Sequence, residues 1–200
     1  MTSDPGSRGA IAERPAEPRA ERPAESTAAA WAPLDFRPHN CFACGTLNEH
    51  GLRLVIHVEP DRSWTELTLG RQFEGWEDIA HGGIVCTILD EVMAWSLVGA
   101  DNWGVTARMS VDFRRPIPIG RDLRAEGRVT RSRRRIVETS GRIVDRATGE
   151  ILATAAGLYL AADAARKRQL QERYGVRSAS EAPGSVDVSG PVPADGRPAR

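Results

Sequence analysis

Residues 81–95 read HGGIVCTILDEVMAW, and residues 105–120 read VTARMSVDFRRPIPIG. The first belongs to an apolar stretch, Gly82 to Ala100, broken only by Asp90 and Glu91. It shows no two-residue alternation and is long enough for a helix, so it predicts a helix that is apolar nearly all round and therefore enclosed. The second segment alternates cleanly. Val105, Ala107, Met109, Val111 and Phe113 face one way, and Thr106, Arg108, Ser110, Asp112 and Arg114 the other. That is a strand, ended by Pro116 and Pro118, which cannot donate to a ladder.

Working outward, Leu52, Leu54, Ile56 and Val58 alternate with polar neighbours and predict a first strand, and Trp64 to Leu69 a shorter second one. After the prolines, three further strand-like runs cover about 121–131, 134–145 and 150–161. The last two are joined by DRATGE, in which Gly149 suits a hairpin bulge. Short links among four successive strands imply an antiparallel sheet, and one long helix must bury its apolar face. The expected fold class is α+β: a curved antiparallel sheet wrapped around one central helix.

Composition sets the limits of that domain. Residues 1–30 hold one branched apolar residue, Ile11, and repeat ERPAE at 13–17 and 21–25. Such a segment buries too little to offset its ordering entropy, so 1–30 is expected to be a disordered tail. Residues 31–162 form the expected domain, and 163–200 a short charged helix followed by a second disordered tail. Lys+Arg and Asp+Glu balance at 27 each, so net charge argues for no polyanionic partner. There is no signal-peptide pattern and no uninterrupted apolar span, and three Cys is an odd number. A cytoplasmic protein with reduced thiols, off the membrane, is the expectation.

Chemistry concentrates on the helix. Gly82 and Gly83 open it, where unpaired N–H groups and a partial positive charge could hold a carbonyl oxygen gaining negative charge. The same glycines also suit a plain tight turn. Gly83, Thr87, Asp90 and Ala94 share one stripe, and all but Asp90 are small. A buried carboxylate is costly unless partnered, which makes Asp90 the prime functional candidate, although a structural hydrogen bond would also satisfy it. Glu91 points about 100° away and reads as a rim or subunit-contact charge. Asp90 stands roughly 10 Å along the axis from the Gly83 amide. One chain cannot easily bring both to one reacting carbon, whereas two antiparallel helices related by a two-fold axis can.

With those residues in place, HGGIVCTILDEVMAW resembles the helix signature of hotdog-fold thioesterases of the phenylacetyl-CoA thioesterase (PaaI-like) group. CFACGTLNEHGLRL at 41–54 resembles the opening found in one branch of it, and VTARMSVDFRRPIPIG the strand after its helix. The resemblance covers roughly 36–162. It implies a hotdog fold, a homodimer or homotetramer, and hydrolysis of an acyl-CoA. Asp90 would be nucleophile or general base, the Gly82 or Gly83 amide would polarise the carbonyl, His81 would orient the loop or contact substrate, and Thr106 would help position water. Two places depart from the pattern: Gly75 where some relatives carry Asn or Gln, and Ala94 where others carry Thr.

The remaining candidates are weaker. Cys41-x-x-Cys44, with His39 or His50 nearby, has half the ligands of a structural zinc site, but no second Cys pair exists. The branch carries this motif without an obligatory metal, so neither metal nor cofactor is expected. Cys86 reads as a small buried residue. Twelve arginines crowd 108–146 against five acids, a local excess suited to the phosphates of coenzyme A. Arg133, Arg134, Arg135 and Arg114 are the candidates within it, although a solvated strand face fits nearly as well. No stacking aromatics interleave with them, which argues against nucleic acid. The alternative function is a non-catalytic acyl-CoA-binding or sensor protein on the same fold, which has little use for a carboxylate beside the thioester. A hotdog dehydratase is disfavoured because the hydratase-type Asp/His pair is absent.

Overall fold

The computed structural model describes residues 36–175, so both expected tails, 1–30 and the end of 163–200, lie outside the described residues. The elements are β1 (His57–Glu59), β2 (Arg62–Thr68), β3 (Glu74–Trp76), β4 (Ile79–Ala80), α1 (Gly82–Gly99), β5 (Gly104–Phe113), β6 (Asp122–Arg133), β7 (Ile136–Asp145), β8 (Ile151–Ala161) and α2 (Ala164–Tyr174). A six-stranded antiparallel sheet, ordered β1-β2-β6-β7-β8-β5, holds α1 against its inner face. The α+β expectation is met.

Why α1 seats here can be read from the registers. Ser63 pairs with Gly127, Gly127 with Gly141, and Gly141 with Ala155. These four buried residues form a row of small side chains across β2, β6, β7 and β8. The helix backbone comes down onto that row. A Cβ on Gly127 would collide with the Val92 carbonyl, and the Ser63 hydroxyl donates to that same oxygen. Above the row, Ile88, Leu89, Val92 and Met93 are completely buried. In length and composition α1 would pass for a membrane span. Its apolar surface is instead consumed by the sheet.

Two details differ from the sequence reading. Leu54 and Ile56 are buried as their alternation predicts, but only 57–59 joins the main ladder. The preceding residues pair with the 41–44 turn instead, Leu52 N donating to Phe42 O (2.8 Å) and Leu54 N to Ala43 O (2.9 Å). The link after β5 is short but does not join neighbours: β5 is an edge strand on β8, whereas β6 lies inside the sheet beside β2. Residues 114–121 therefore cross the domain. They rest on the β3–β4 pair, with Ile117 buried and its carbonyl accepting from Ala80 N at 2.9 Å. Counting short links correctly predicted an antiparallel sheet, but not which strands adjoin.

The charged segment after β8 becomes α2, capped by the Asp163 side chain on Arg166 N and ended by Gly175 at φ 67°. Leu170 and Tyr174 pack on the core, and Arg37 N donates to Tyr174 O at 3.0 Å. The first and last described residues thus meet.

Gly127→Ala is expected to cost about 2 kcal/mol or more, because the added methyl lands on helix backbone that cannot rotate aside. Denaturant melts check this, with Ala156→Gly on the outer face of β8 as the control, expected to move far less.

Candidate active site

Asp90 sits half-buried near the middle of α1. Its Oδ1 accepts from Thr106 Oγ1 at 2.7 Å and from Tyr159 Oη at 2.8 Å, and the Tyr159 hydroxyl also lies 3.1 Å from the Asp90 carbonyl. Thr106 and Tyr159 are cross-strand partners on β5 and β8, which is why two hydroxyls arrive together. Oδ2 accepts from no described residue. Burial and the adjacent Asp90 charge raise the Tyr159 pKa, so its phenol remains a donor. Sequence reasoning named Asp90 and Thr106 but missed Tyr159. The signal was present: on the inward register of β8, Tyr159 follows Ala155 and Gly157, a large polar-tipped side chain on a face of very small ones.

At the other end of the stripe, His81 caps α1, and its Nδ1 accepts from Gly83 N at 2.9 Å. The Gly83 amide is therefore engaged within its own turn, while Gly82 N donates to nothing among the described residues. Thr87 Oγ1 donates to Gly83 O at 2.9 Å. Gly83 is exposed, and Thr87, Asp90 and Ala94 are partly exposed, along a helix otherwise sunk in the core. Gly75 is dictated locally, because a Cβ there would stand 2.9 Å from His81 Cα.

The predicted arginines do not gather. Arg114 follows β5, with its amide on Leu152 O, whereas Arg135 Nε donates to Ala161 O. Those acceptors lie nine positions apart on β8, roughly 30 Å. Arg133, Arg134 and Arg135 are thus at the Asp90 end, and Arg114 is at the Gly82 end, where the Phe113 ring reaches van der Waals range of Gly82. Much of the arginine excess is absorbed by carboxylates. Arg124 pairs with Glu66 and Glu126, Arg142 with Glu126, Arg131 with Glu138, Arg146 with Glu66, Arg121 with Asp145 and Arg115 with Glu150. The four predicted arginines have no such pair among the described residues.

A cavity of about 510 Å³ opens next to Glu91 and Ala94, one turn of α1 beyond Asp90, and is also lined by Trp95, Val98, Trp103 and Leu160. Trp95 and Trp103 supply its aromatic wall, whereas Trp76 is 82% exposed. Glu91 also turns into this wall instead of forming a rim charge. It accepts from Trp95 Nε1 at 2.7 Å and lies against Cys41 and Cys44. Burial, with Cys41 beside it, pushes the Glu91 carboxyl up to about 7.

Comparison with known proteins agrees with this architecture. Residues 77–152 match the model of the thioesterase superfamily. Among solved structures, a thioesterase superfamily protein aligns at 23% identity over 60% of each chain, with a TM-score of 0.58. The match thus spans less than two thirds of that relative. The Escherichia coli PaaI protein from the phenylacetic acid degradation operon aligns at 20% identity over 55% of this chain and 83% of its own, TM-score 0.52. Streptococcus mutans UA159 smu.793, bound to acetyl CoA, aligns at 16% identity over 59% and 97%, TM-score 0.53. No curated protein matches the chain at a significant level. The fold is therefore the hotdog fold of these thioesterases, and residues 77–152 are similar to the thioesterase superfamily.

Tyr159→Phe is expected to lose about 1–2 kcal/mol near neutral pH through the missing hydrogen bond to Asp90. In the wild type, the raised Tyr159 pKa means the unfolded chain gives up this proton first. Stability therefore falls as pH climbs past about 10, the ordinary tyrosine value. Urea melts at several alkaline pH values should show that fall, and a flatter profile in Tyr159→Phe.

Proposed function

We propose that the chain hydrolyses an acyl-CoA thioester in a site shared between two copies related by a two-fold axis. The observation that carries this reading is the Asp90 carboxylate, fixed on one oxygen by two hydroxyls while its stripe stays open. Such fixing orients the second oxygen for chemistry at no reorganisation cost. Either it attacks the carbonyl carbon as nucleophile, or it takes a proton from water that attacks. The carbonyl oxygen then carries negative charge, and the coenzyme A sulfur leaves as the tetrahedral centre collapses. In the first route water then cleaves the acyl–Asp90 anhydride to free acid and carboxylate; in the second the proton taken from water passes from Asp90 to the departing thiolate.

The oxyanion donor belongs at the start of α1. Because Gly83 N already serves His81, the donor in this proposal is Gly82 N. The two halves of the site lie at the start and near the middle of α1, and at opposite ends of β5. Edge strand β5 exposes Val105 (69%) and Phe113 (56%) at those ends, apolar side chains suited to antiparallel pairing with a second β5. Such pairing would bring the Gly82 and Phe113 end of one copy to the Asp90 and Thr106 end of the other, uniting Arg114 with Arg133, Arg134 and Arg135. Acetyl CoA in the Streptococcus mutans protein supports the ligand class. The acyl group would enter the cavity one turn beyond Asp90, where Trp95 and Trp103 offer apolar walls.

The first test follows free thiol release from aryl and aliphatic acyl-CoAs. Wild type is expected to turn over, and Asp90→Asn to lose about 100-fold or more in kcat with its melting point kept. Acyl-CoA binding without turnover in either protein would favour the non-catalytic sensor. A second test replaces Val105 with Glu. Sedimentation is expected to show dissociation and the assay a matching loss of activity; an active monomer would overturn the shared site.

A further inference from the structure

The Cys41-x-x-Cys44 motif takes no part in the proposed hydrolysis, yet the fold gives it two donors that the sequence keeps far apart or leaves unoriented. We propose that His39, Cys41, Cys44 and Glu91 form a tetrahedral zinc-binding site that fastens the 39–45 turn to α1 along the cavity wall. One donor atom each from Cys41, Cys44 and Glu91 fall within 4.8 Å of one another. His39 Nε2 lies 3.4 Å from Cys44 Sγ, and Cys41 Sγ lies 3.9 Å from Glu91 Oε2. Bond lengths to tetrahedral zinc place neighbouring donors about 3.3–3.8 Å apart, so Cys41, Cys44 and Glu91 need only to close up modestly, while His39, in range of Cys44 but outside that group of three, has to swing inward to complete the site.

The surroundings orient each donor for a cation. His39 Nδ1 lies 3.0 Å from the Arg37 carbonyl, which fixes the proton on Nδ1 and leaves the Nε2 lone pair facing the sulfurs. That carbonyl–imidazole arrangement is the usual outer support of a zinc-bound histidine. Glu91 Oε1 is held by the Trp95 indole at 2.7 Å, leaving Oε2 for the metal. The backbone N–H groups of Ala43 and Cys44 are directed at the Cys41 sulfur. Gly45 is required where the turn doubles back, since a Cβ would collide with the backbone of His39 and Cys41. Two thiolates, one imidazole and one carboxylate select zinc over magnesium or calcium, and four protein donors leave no open position. The ion would be structural, not a second catalytic centre.

This proposal is independent of thioester hydrolysis and is tested without it. Full-length protein is stripped with chelator under reductant and then titrated with Zn²⁺ or Co²⁺. The expected result is one Zn²⁺ per chain. Co²⁺ should give thiolate charge-transfer absorption in the near ultraviolet and tetrahedral d–d bands in the visible. Cys44→Ser should abolish the charge-transfer pattern of two thiolates, and Glu91→Gln should weaken Zn²⁺ binding by about 10- to 100-fold. Wild-type protein that takes up Zn²⁺ no better than the Cys41→Ser/Cys44→Ser double variant overturns the site, whatever the variants' stability. So does a Cys41–Cys44 disulfide present in freshly isolated protein.

Discussion

The molecule depends on how closely one helix can approach one sheet. Helix and sheet backbones ordinarily stay apart because side chains stand between them. Here Ser63, Gly127, Gly141 and Ala155 remove that spacer along a single row, and the Val92 carbonyl settles onto it. The fully buried Ile88, Leu89, Val92 and Met93 then fill the space around the row. With α1 this deep, its only partly exposed long face is the stripe that carries Asp90. The position of the carboxylate is thus a result of the packing.

Different parts of this were legible to different degrees. Helix α1 and the strands from β5 onward could be read because each has a long, unambiguous period. The 52–58 segment shows the limit of that logic: alternation reports the burial of Leu54 and Ile56, but Leu52 and Leu54 pair with a turn instead of a ladder. Sheet order was illegible because an eight-residue link can join neighbours or cross the domain, and only the buried Ile117 shows that this one crosses. Asp90 could be named from sequence because a lone acid in an apolar helix needs explaining. Its partners could not all be named, since Thr106 and Tyr159 meet through a register fixed by sheet order. Glu91 was misread for a related reason: helical angle gives a direction, but not what another part of the chain places there.

Charge followed the same pattern. Counting arginines suggested a basic surface, yet half of the twelve pair with carboxylates, and Arg124 also lies 4.0 Å over the Trp64 ring. Exposed pairs of this kind contribute little to stability. Among the arginines they leave without a carboxylate, Arg114 stands at one end of β8 and Arg133, Arg134 and Arg135 at the other. Within one chain this separation has no evident use. In the proposed two-fold assembly it becomes a division of labour, with each copy supplying one end to each site.

The meeting of residues 37 and 174 alters what the ends of the described segment signify. The Phe36 ring lies tilted against Trp95 at 4.2 Å and Trp103 stacks beside Tyr174, so both ends of the described chain rest on one aromatic patch above the cavity. The path through the domain is effectively a loop closed by non-covalent contacts. Joining the ends by a short linker and opening the chain at the exposed 147–149 turn would reorder the sequence without moving a strand. Connectivity at that seam is incidental to the architecture, whereas contact across it is not.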